Sequence, residues 1–280
     1  MEARERGALY SRLPRRWVCG VDFSGARDAG ERIWIARCSI GEDALNVVDL
    51  FQARSLPGSG RERGLCHRAL AAFIGEQEDG IFGLDFPFSL PRDLVRAKEW
   101  KEFVLTFEKA YKSPEDFREL CRSEAKGREL KRNTDIESRT PFSPWNLRLF
   151  RQTYFGIRDV LATLIKTDTA CILPMQQPLD GKAWVLEICP ASTLKRENLS
   201  MPYKGRAVDR RAARLKILQA IEERFRLRVA TSVIRSKIVS DTGGDALDAV
   251  IAALATFRAF RNTFALDAPC PYDIEGWVYV

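Results

Sequence analysis

Trp17-Val18-Cys19-Gly20-Val21-Asp22 is a run of apolar and small residues that stops on a carboxylate, and Ile81-Phe82-Gly83-Leu84-Asp85 repeats the pattern further along. Short apolar runs bounded by turn residues read as buried β-strands. Gly25 and Gly30 follow the first run, and Pro87 and Pro91 close the second, which fits chain that must turn at once. Between them, 32–40 carries Ile33, Ile35 and Cys38, and 45–53 carries Val47, Val48, Leu50 and Phe51. With 17–22 these segments predict a three-stranded antiparallel meander. Leu65, Ala69, Ala72 and Phe73 then recur at helical spacing. A strand at 81–86 entered from that helix is expected to run parallel to a neighbour.

Beyond Pro91 the chain changes character. From Arg92 to Arg139 it holds 13 basic and 11 acidic residues, expected as solvated helices. Thr140-Pro-Phe-Ser-Pro-Trp145 reads as a rigid connector, followed by an apolar helix over 147–165. Strands are expected at 170–175 and 183–188, around a Pro178–Gly181 turn. A basic helix over 208–227 turns Ala212, Leu215, Leu218 and Ile221 or Ala220 to the core. A final helix runs over 245–260, and a tail with Pro269, Pro271 and Trp277 docks on the surface. No internal repeat, low-complexity tract or linker interrupts the 280 residues. The expectation is therefore one α/β domain over 1–280, with a charged helical insertion at about 92–168.

Composition narrows the function classes. The chain is 45% hydrophobic, enough for a core, and no apolar run reaches the roughly 18 residues of a membrane span. Met1 to Arg16 is Arg-rich and lacks the apolar stretch of a secretory signal. The seven cysteines include no C-x-x-C spacing, and Cys19, Cys38, Cys171 and Cys189 lie in apolar runs. That argues against a zinc site or disulfide framework and for a reducing, cytoplasmic setting. Net charge is +7, yet 195–237 alone holds 13 Lys and Arg against four acids, leaving the rest of the chain slightly acidic. Such a stretch suits a polyanionic partner, with Arg210, Arg211 and Arg214 as candidate nucleic-acid contacts and Tyr203 and Phe225 as candidate base-stacking rings. It equally suits a solvated helix face.

The acids carry the chemistry. Asp22 and Asp85 end strands, Glu187 lies within Trp184-Val-Leu-Glu-Ile-Cys189, and Asp245 and Asp248 open an apolar helix. Ionised carboxylates taken out of water are costly unless paired or bound to a cation, and several together raise one another's pKa. Asp245 and Asp248 are three apart and can share a helix face. An all-oxygen set suits Mg²⁺ or Mn²⁺, and two such ions about 4 Å apart serve phosphoryl transfer. Each acid also has a plain alternative: turn formation for Asp22 and Asp85, a helix-dipole charge for Asp245, and for Glu187 an arginine partner from the nearby basic helix.

Other chemistries find less support. The one histidine, His67, has no G-x-S-x-G companion and reads as a satisfied residue on a helix surface. There is no Walker loop, no G-x-G-x-x-G after the first strand, and Asp241-Thr-Gly-Gly is too short to cradle phosphate.

Four segments resemble a broad family of predicted RNase H-like nucleases of unknown function: Gly20-Val-Asp-Phe-Ser-Gly25, Gly83-Leu-Asp-Phe-Pro-Phe-Ser-Leu-Pro91, Leu186-Glu-Ile-Cys-Pro-Ala191 and Gly244-Asp-Ala-Leu-Asp-Ala-Val-Ile-Ala-Ala-Leu254. The resemblance implies a three-layer RNase H-like fold with a central five-stranded mixed sheet, its first and fourth strands adjacent. Asp22 and Asp85 would then lie side by side, with Asp245 or Asp248 across from them, an acidic set comparable to that of RuvC-like resolvases. It implies a metal-dependent nuclease using two Mg²⁺ or Mn²⁺ ions held by Asp22, Asp85, Glu187, Asp245 and Asp248, acting on DNA or RNA without a protein nucleophile. Ser89 and Gly244 stand where the family often has Gly and His, and both departures spare the acidic set. Two other readings compete. One is a non-catalytic nucleic-acid- or protein-binding module on the same scaffold. The other is an ATP-dependent phosphotransferase, weakened by the absence of a second Gly-rich loop and a duplicated domain.

Overall fold

The computed structural model describes residues 15–42, 44–264 and 272–280. Pro269 and Pro271 of the expected tail lie outside them, while Trp277 is half-buried against the Tyr272 ring. Strands β1 (Trp17–Asp22), β2 (Trp34–Ile40) and β3 (Leu45–Gln52) form the antiparallel meander. Helix α1 (Arg63–Gly75) leads to β4 (Gly80–Leu84), which runs parallel to β1 with Val21 opposite Leu84. The expected helix exists with a different face inward: Cys66, His67, Ala69, Leu70, Ala71 and Ile74 are buried, and Leu65 and Ala72 are exposed.

The mixed-charge region is not simply solvated. It forms α2 (Trp100–Ala110), α3 (Pro114–Glu124) and α4 (Asn133–Glu137), then α5 (Phe150–Phe155), which continues through a π-helical segment, Gly156–Leu161, into α6 (Ala162–Thr167). Trp100, Phe103, Phe107 and Phe117 are buried in the same core as α1. Phe103 and Phe107 are four apart, so charged neighbours share the helix while one aromatic face packs. Ser113 caps α3 by accepting from the Asp116 N–H at 3.0 Å, with Pro114 at the first helical position.

Strands β5 (Ala170–Leu173) and β6 (Ala183–Ile188) follow, then α7 (Pro190–Arg196), α8 (Val208–Phe225), β7 (Leu227–Val229), α9 (Ser232–Ser240), α10 (Asp245–Arg261), α11 (Tyr272–Glu275) and β8 (Val278–Tyr279). The sheet is mixed, in the order β5-β6-β4-β1-β2-β3-β7, with β8 on β6. Among the described residues it has eight strands, which corrects the expectation of five. The additions include β7, parallel to β3, and β8, parallel to the last residues of β6. At three and two residues, these carry no readable alternation.

One buried core lies on each face of the sheet, giving three layers. On β1, Cys19 and Val21 face α1 and the insertion, while Val18 faces α10. Side chains alternate along a strand, so Gly20 and Asp22 share the α10 side, as do Ile81, Gly83 and Asp85 leaving β4. The two glycines let α10 lie directly on the sheet. A Cβ on Gly20 would stand 2.1 Å from the Ala249 carbonyl oxygen, and one on Gly83 1.9 Å from Thr256 Oγ1. That close approach brings the N-terminus of α10 over the strand ends. Among the described residues, no helix is long and apolar enough to cross a membrane.

Candidate metal centre

Asp22, Asp85, Asp245 and Asp248 line one pocket of about 380 Å³, together with Tyr203 and Lys204 from the segment preceding α8. Asp22 and Asp85 arrive at the ends of adjacent parallel strands, joined where the Asp85 N–H donates to the Val21 carbonyl at 3.0 Å. Gln152 of α5 pins both chain segments, its Nε2 donating to the Phe23 and Asp85 carbonyls at 2.7 and 3.2 Å. Asp245 and Asp248 occupy the first turn of α10, where the helix dipole favours negative charge. Asp241 caps that turn by accepting from the Ala246 N–H at 3.0 Å. Gly244 enters it with φ +80°, and a Cβ there would meet the Tyr203 ring at 2.9 Å.

The carboxylates are not equivalent. Asp248 is 3% exposed and accepts from the Tyr203 hydroxyl at 2.5 Å and from Lys204 Nζ at 2.7 Å. Lys204 Nζ also stands 3.5 Å from Asp245 Oδ1. Asp22 and Asp85 make no side-chain hydrogen bond or ion pair among the described residues. Burial, then repulsion from Asp248, Asp245 and Asp85, pushes Asp22 well above the usual carboxylate range. Burial and Asp248 push Asp85 up to about 8, with Lys204 opposing. Asp245 is raised as well, by burial first. The pocket thus gathers more negative charge than its own residues balance.

Of the two readings the sequence left open for Glu187, metal ligand or arginine partner, its contacts follow the second. It lines the pocket, but Arg132 grips both its oxygens, NH1 to Oε2 at 2.8 Å and NH2 to Oε1 at 2.5 Å. The Phe88 N–H also donates to Oε2 at 2.8 Å. An arginine partner is therefore the outcome, supplied by the insertion rather than by the basic helix. Among the described residues, no three His, Cys, Asp or Glu side chains are drawn together as a ready-made ligand set. In the pocket it is the Lys204 ammonium that stands against Asp248 and Asp245.

The basic helix also departs from expectation. Arg211 is exposed and Arg210 half-buried, its NH1 donating to the Pro202 carbonyl at 3.0 Å. Arg214 is 1% exposed and donates to the carbonyls of Val239, Tyr203 and Gly205 at 2.8, 2.6 and 3.1 Å. It cannot face a phosphate backbone, because its donors are used inside the protein; it braces the Tyr203–Gly205 segment instead. Tyr203 is bound to Asp248, and Arg258 covers the Phe225 ring at 5.1 Å, so neither ring is an open stacking platform. His67 is wholly buried rather than on the surface, between Asp159 Oδ2 at 2.9 Å and the Ser24 carbonyl at 3.0 Å. Arg132 and Lys204 escaped the sequence reading, since nothing local separates either from the other bases around it.

No protein-family model matches this chain, and no curated protein matches it. Among solved structures it is similar to the yeast mitochondrial Holliday junction resolvase Ydc2, at 10% identity over 93% of this chain and 90% of that chain. The TM-score is 0.32, and a likeness that distant carries no functional argument.

Proposed function

We propose that this protein is an RNase H-like, metal-dependent nuclease that hydrolyses phosphodiester bonds in DNA or RNA. The observation that carries the reading is that Asp22, Asp85, Asp245 and Asp248 line one pocket, where Lys204 is paired with Asp245 and Asp248 while Asp22 and Asp85 have no side-chain hydrogen-bond or ion-pair partner among the described residues. The donor set fits the ion: carboxylate oxygens suit Mg²⁺ or Mn²⁺. Asp22 and Asp85, without a side-chain partner among the described residues, are the principal ligands, Asp245 and Asp248 complete the set, and Glu187 is the wall beside it. When bound, a divalent ion supplies Lewis-acid charge to the reacting phosphate, and a pair of ions can serve both its sides. The chain's own part is to fix the carboxylates from two strands and one helix, with Gln152 holding the strand ends in place. A non-catalytic binding module has no use for carboxylates that repel one another at a pocket floor.

The test is cleavage of labelled single- and double-stranded DNA and RNA with Mg²⁺, Mn²⁺ or EDTA. Cutting that requires the divalent ion and stops in EDTA is expected. Nucleic-acid binding at low salt without any metal-dependent cutting would favour the binding module instead.

Lys204 gives a second expected result. An ammonium 2.7 Å from Asp248 competes with a metal ion for the same oxygens. Lys204→Met is expected to tighten Mn²⁺ binding about tenfold, the size of about 1.4 kcal/mol of charge interaction. Titration calorimetry on the metal-free protein reads it directly. Equal or weaker affinity in the variant would mean that Lys204 does not hold the cation's place.

A further inference from the structure

Ser24 and Gln152 form a wall shared by the acidic pocket and a second one on its far side. The second pocket, about 690 Å³, is lined by the turn leaving β1 and by Arg27, Arg63, Arg148 and Arg151, with Glu115 as the one acid. The guanidiniums come from separate parts of the fold: the β1 turn, the start of α1, and the connector and first turn of α5. Arg63 lies over the Phe155 ring at 3.6 Å and donates to the Gly25 carbonyl at 3.1 Å. Arg151 reaches Glu115 at 2.6 Å and lies over the Phe150 ring at 4.7 Å. Arg148 lies 5.1 Å from the Phe142 ring centroid. Stacking of this kind orients the planar fork without using its donors.

Arg27 and Arg148 are exposed and have no carboxylate partner among the described residues. Burial lowers the Arg63 pKa, and Arg158, Arg27 and Arg151 lower it further against the pull of Asp159. The cluster therefore repels itself, and a single glutamate does not neutralise four guanidiniums. An anion with several acceptor oxygens would, and phosphate matches the arginine fork. The basic stretch that the sequence marks does less here, since its Arg214 is consumed by backbone carbonyls.

We propose, resting on the nuclease reading, that this pocket holds backbone phosphates of the nucleic-acid strand whose neighbouring phosphodiester enters the acidic pocket. The strand would cross the Ser24–Gln152 wall from four arginines to four carboxylates. Positive charge beside the carboxylates also explains how a polyanion approaches an acidic floor.

The experiment is fluorescence anisotropy of labelled single- and double-stranded oligonucleotides in EDTA across a salt series. Wild type is compared with Arg27→Ala/Arg148→Ala and with Arg210→Ala/Arg211→Ala; Mn²⁺ titration and melting temperature are recorded for each. The Arg27/Arg148 variant is expected to bind about tenfold or more weakly at low salt, its log–log salt slope reduced by about 2. Its melting temperature and Mn²⁺ affinity should stay near wild type, because both side chains are exposed and have no carboxylate partner among the described residues. Unchanged affinity and slope in that variant would overturn the proposal, and so would a loss confined to the Arg210/Arg211 variant. Either of those leaves the nuclease reading standing. Wild type that binds no oligonucleotide, either in EDTA or with Mn²⁺ added, would overturn both.

Discussion

Asp22→Asn is expected to remove metal-dependent cleavage while making the metal-free protein more stable. Asp22 is 9% exposed and has no hydrogen-bond donor facing it among the described residues. Its ionised form is opposed by burial and by Asp248, Asp245 and Asp85. The amide keeps the shape and removes the charge, so repulsion falls for every neighbour. Each pKa unit relieved is about 1.4 kcal/mol; a gain on the order of 1–2 kcal/mol raises the melting temperature by about 2–6 °C at this chain length. Cleavage should fall about 10³-fold or more, because an amide is a poor ligand for a hard cation. The pairing of opposite effects is the signature. A variant that loses stability and activity together is a folding defect, and one that cuts at the wild-type rate sinks the assignment of Asp22.

The same charges set a pH trend for the protein in EDTA. Asp85 is pushed up to about 8, against an ordinary value of 3.8. Between those values the folded state binds more protons than the unfolded state, so this contribution to stability falls as pH rises. The contribution is fully present below the unfolded value and is lost through about 8. Melting curves from pH 5 to 8 should show the decline in wild type and a shallower one in Asp22→Asn. Mn²⁺ should reverse it in wild type.

How much of this the sequence discloses depends on whether the cause is local. An apolar run ending in a carboxylate is a local signal, and Trp17–Asp22 and Gly80–Leu84 are strands where the runs lie. The meander is readable from strands that follow one another in sequence, although the β1–β2 connection over 23–33 is no tight turn and carries a helical turn at Ala29–Arg32. Strand β7 adds to the edge strand β3 and β8 to the last two residues of β6, beyond where β5 stops, which three or two residues cannot announce. Arg214 was legible in principle: with Ile217, Leu218 and Ile221 it follows the i, i+3, i+4, i+7 stripe of one helix face. Its charge hides that phase. Lys204 and Arg132 are different, because the partners that define them lie at distant positions such as Asp248 and Glu187.

Arg132→Met is expected to be the most damaging single change. Arg132 is wholly buried and holds two carboxylates at once: Asp135 through Nε at 2.9 Å and NH2 at 2.8 Å, and Glu187 through NH1 and NH2. Its NH1 also donates to the Glu275 carbonyl at 3.1 Å. Glu275 in turn accepts from the Arg92 and Asn133 N–H groups at 2.8 and 2.7 Å. One guanidinium thus ties β6, the insertion and the C-terminal segment beside the acidic pocket. Methionine fills similar space but strands Asp135 and Glu187 without their cation. Breaking a buried pair from one side costs about 3–5 kcal/mol, or roughly 6–15 °C of melting temperature. Arg132→Lys keeps the charge but loses the planar fork, and should fall between. Adding Glu187→Gln to Arg132→Met should recover part of the loss, because one of the stranded charges is gone. Thermal unfolding of the four proteins decides it. A melting temperature for Arg132→Met within about 2 °C of wild type would mean that the charged knot does not hold these segments together, and that the pocket wall at Glu187 is set by packing alone.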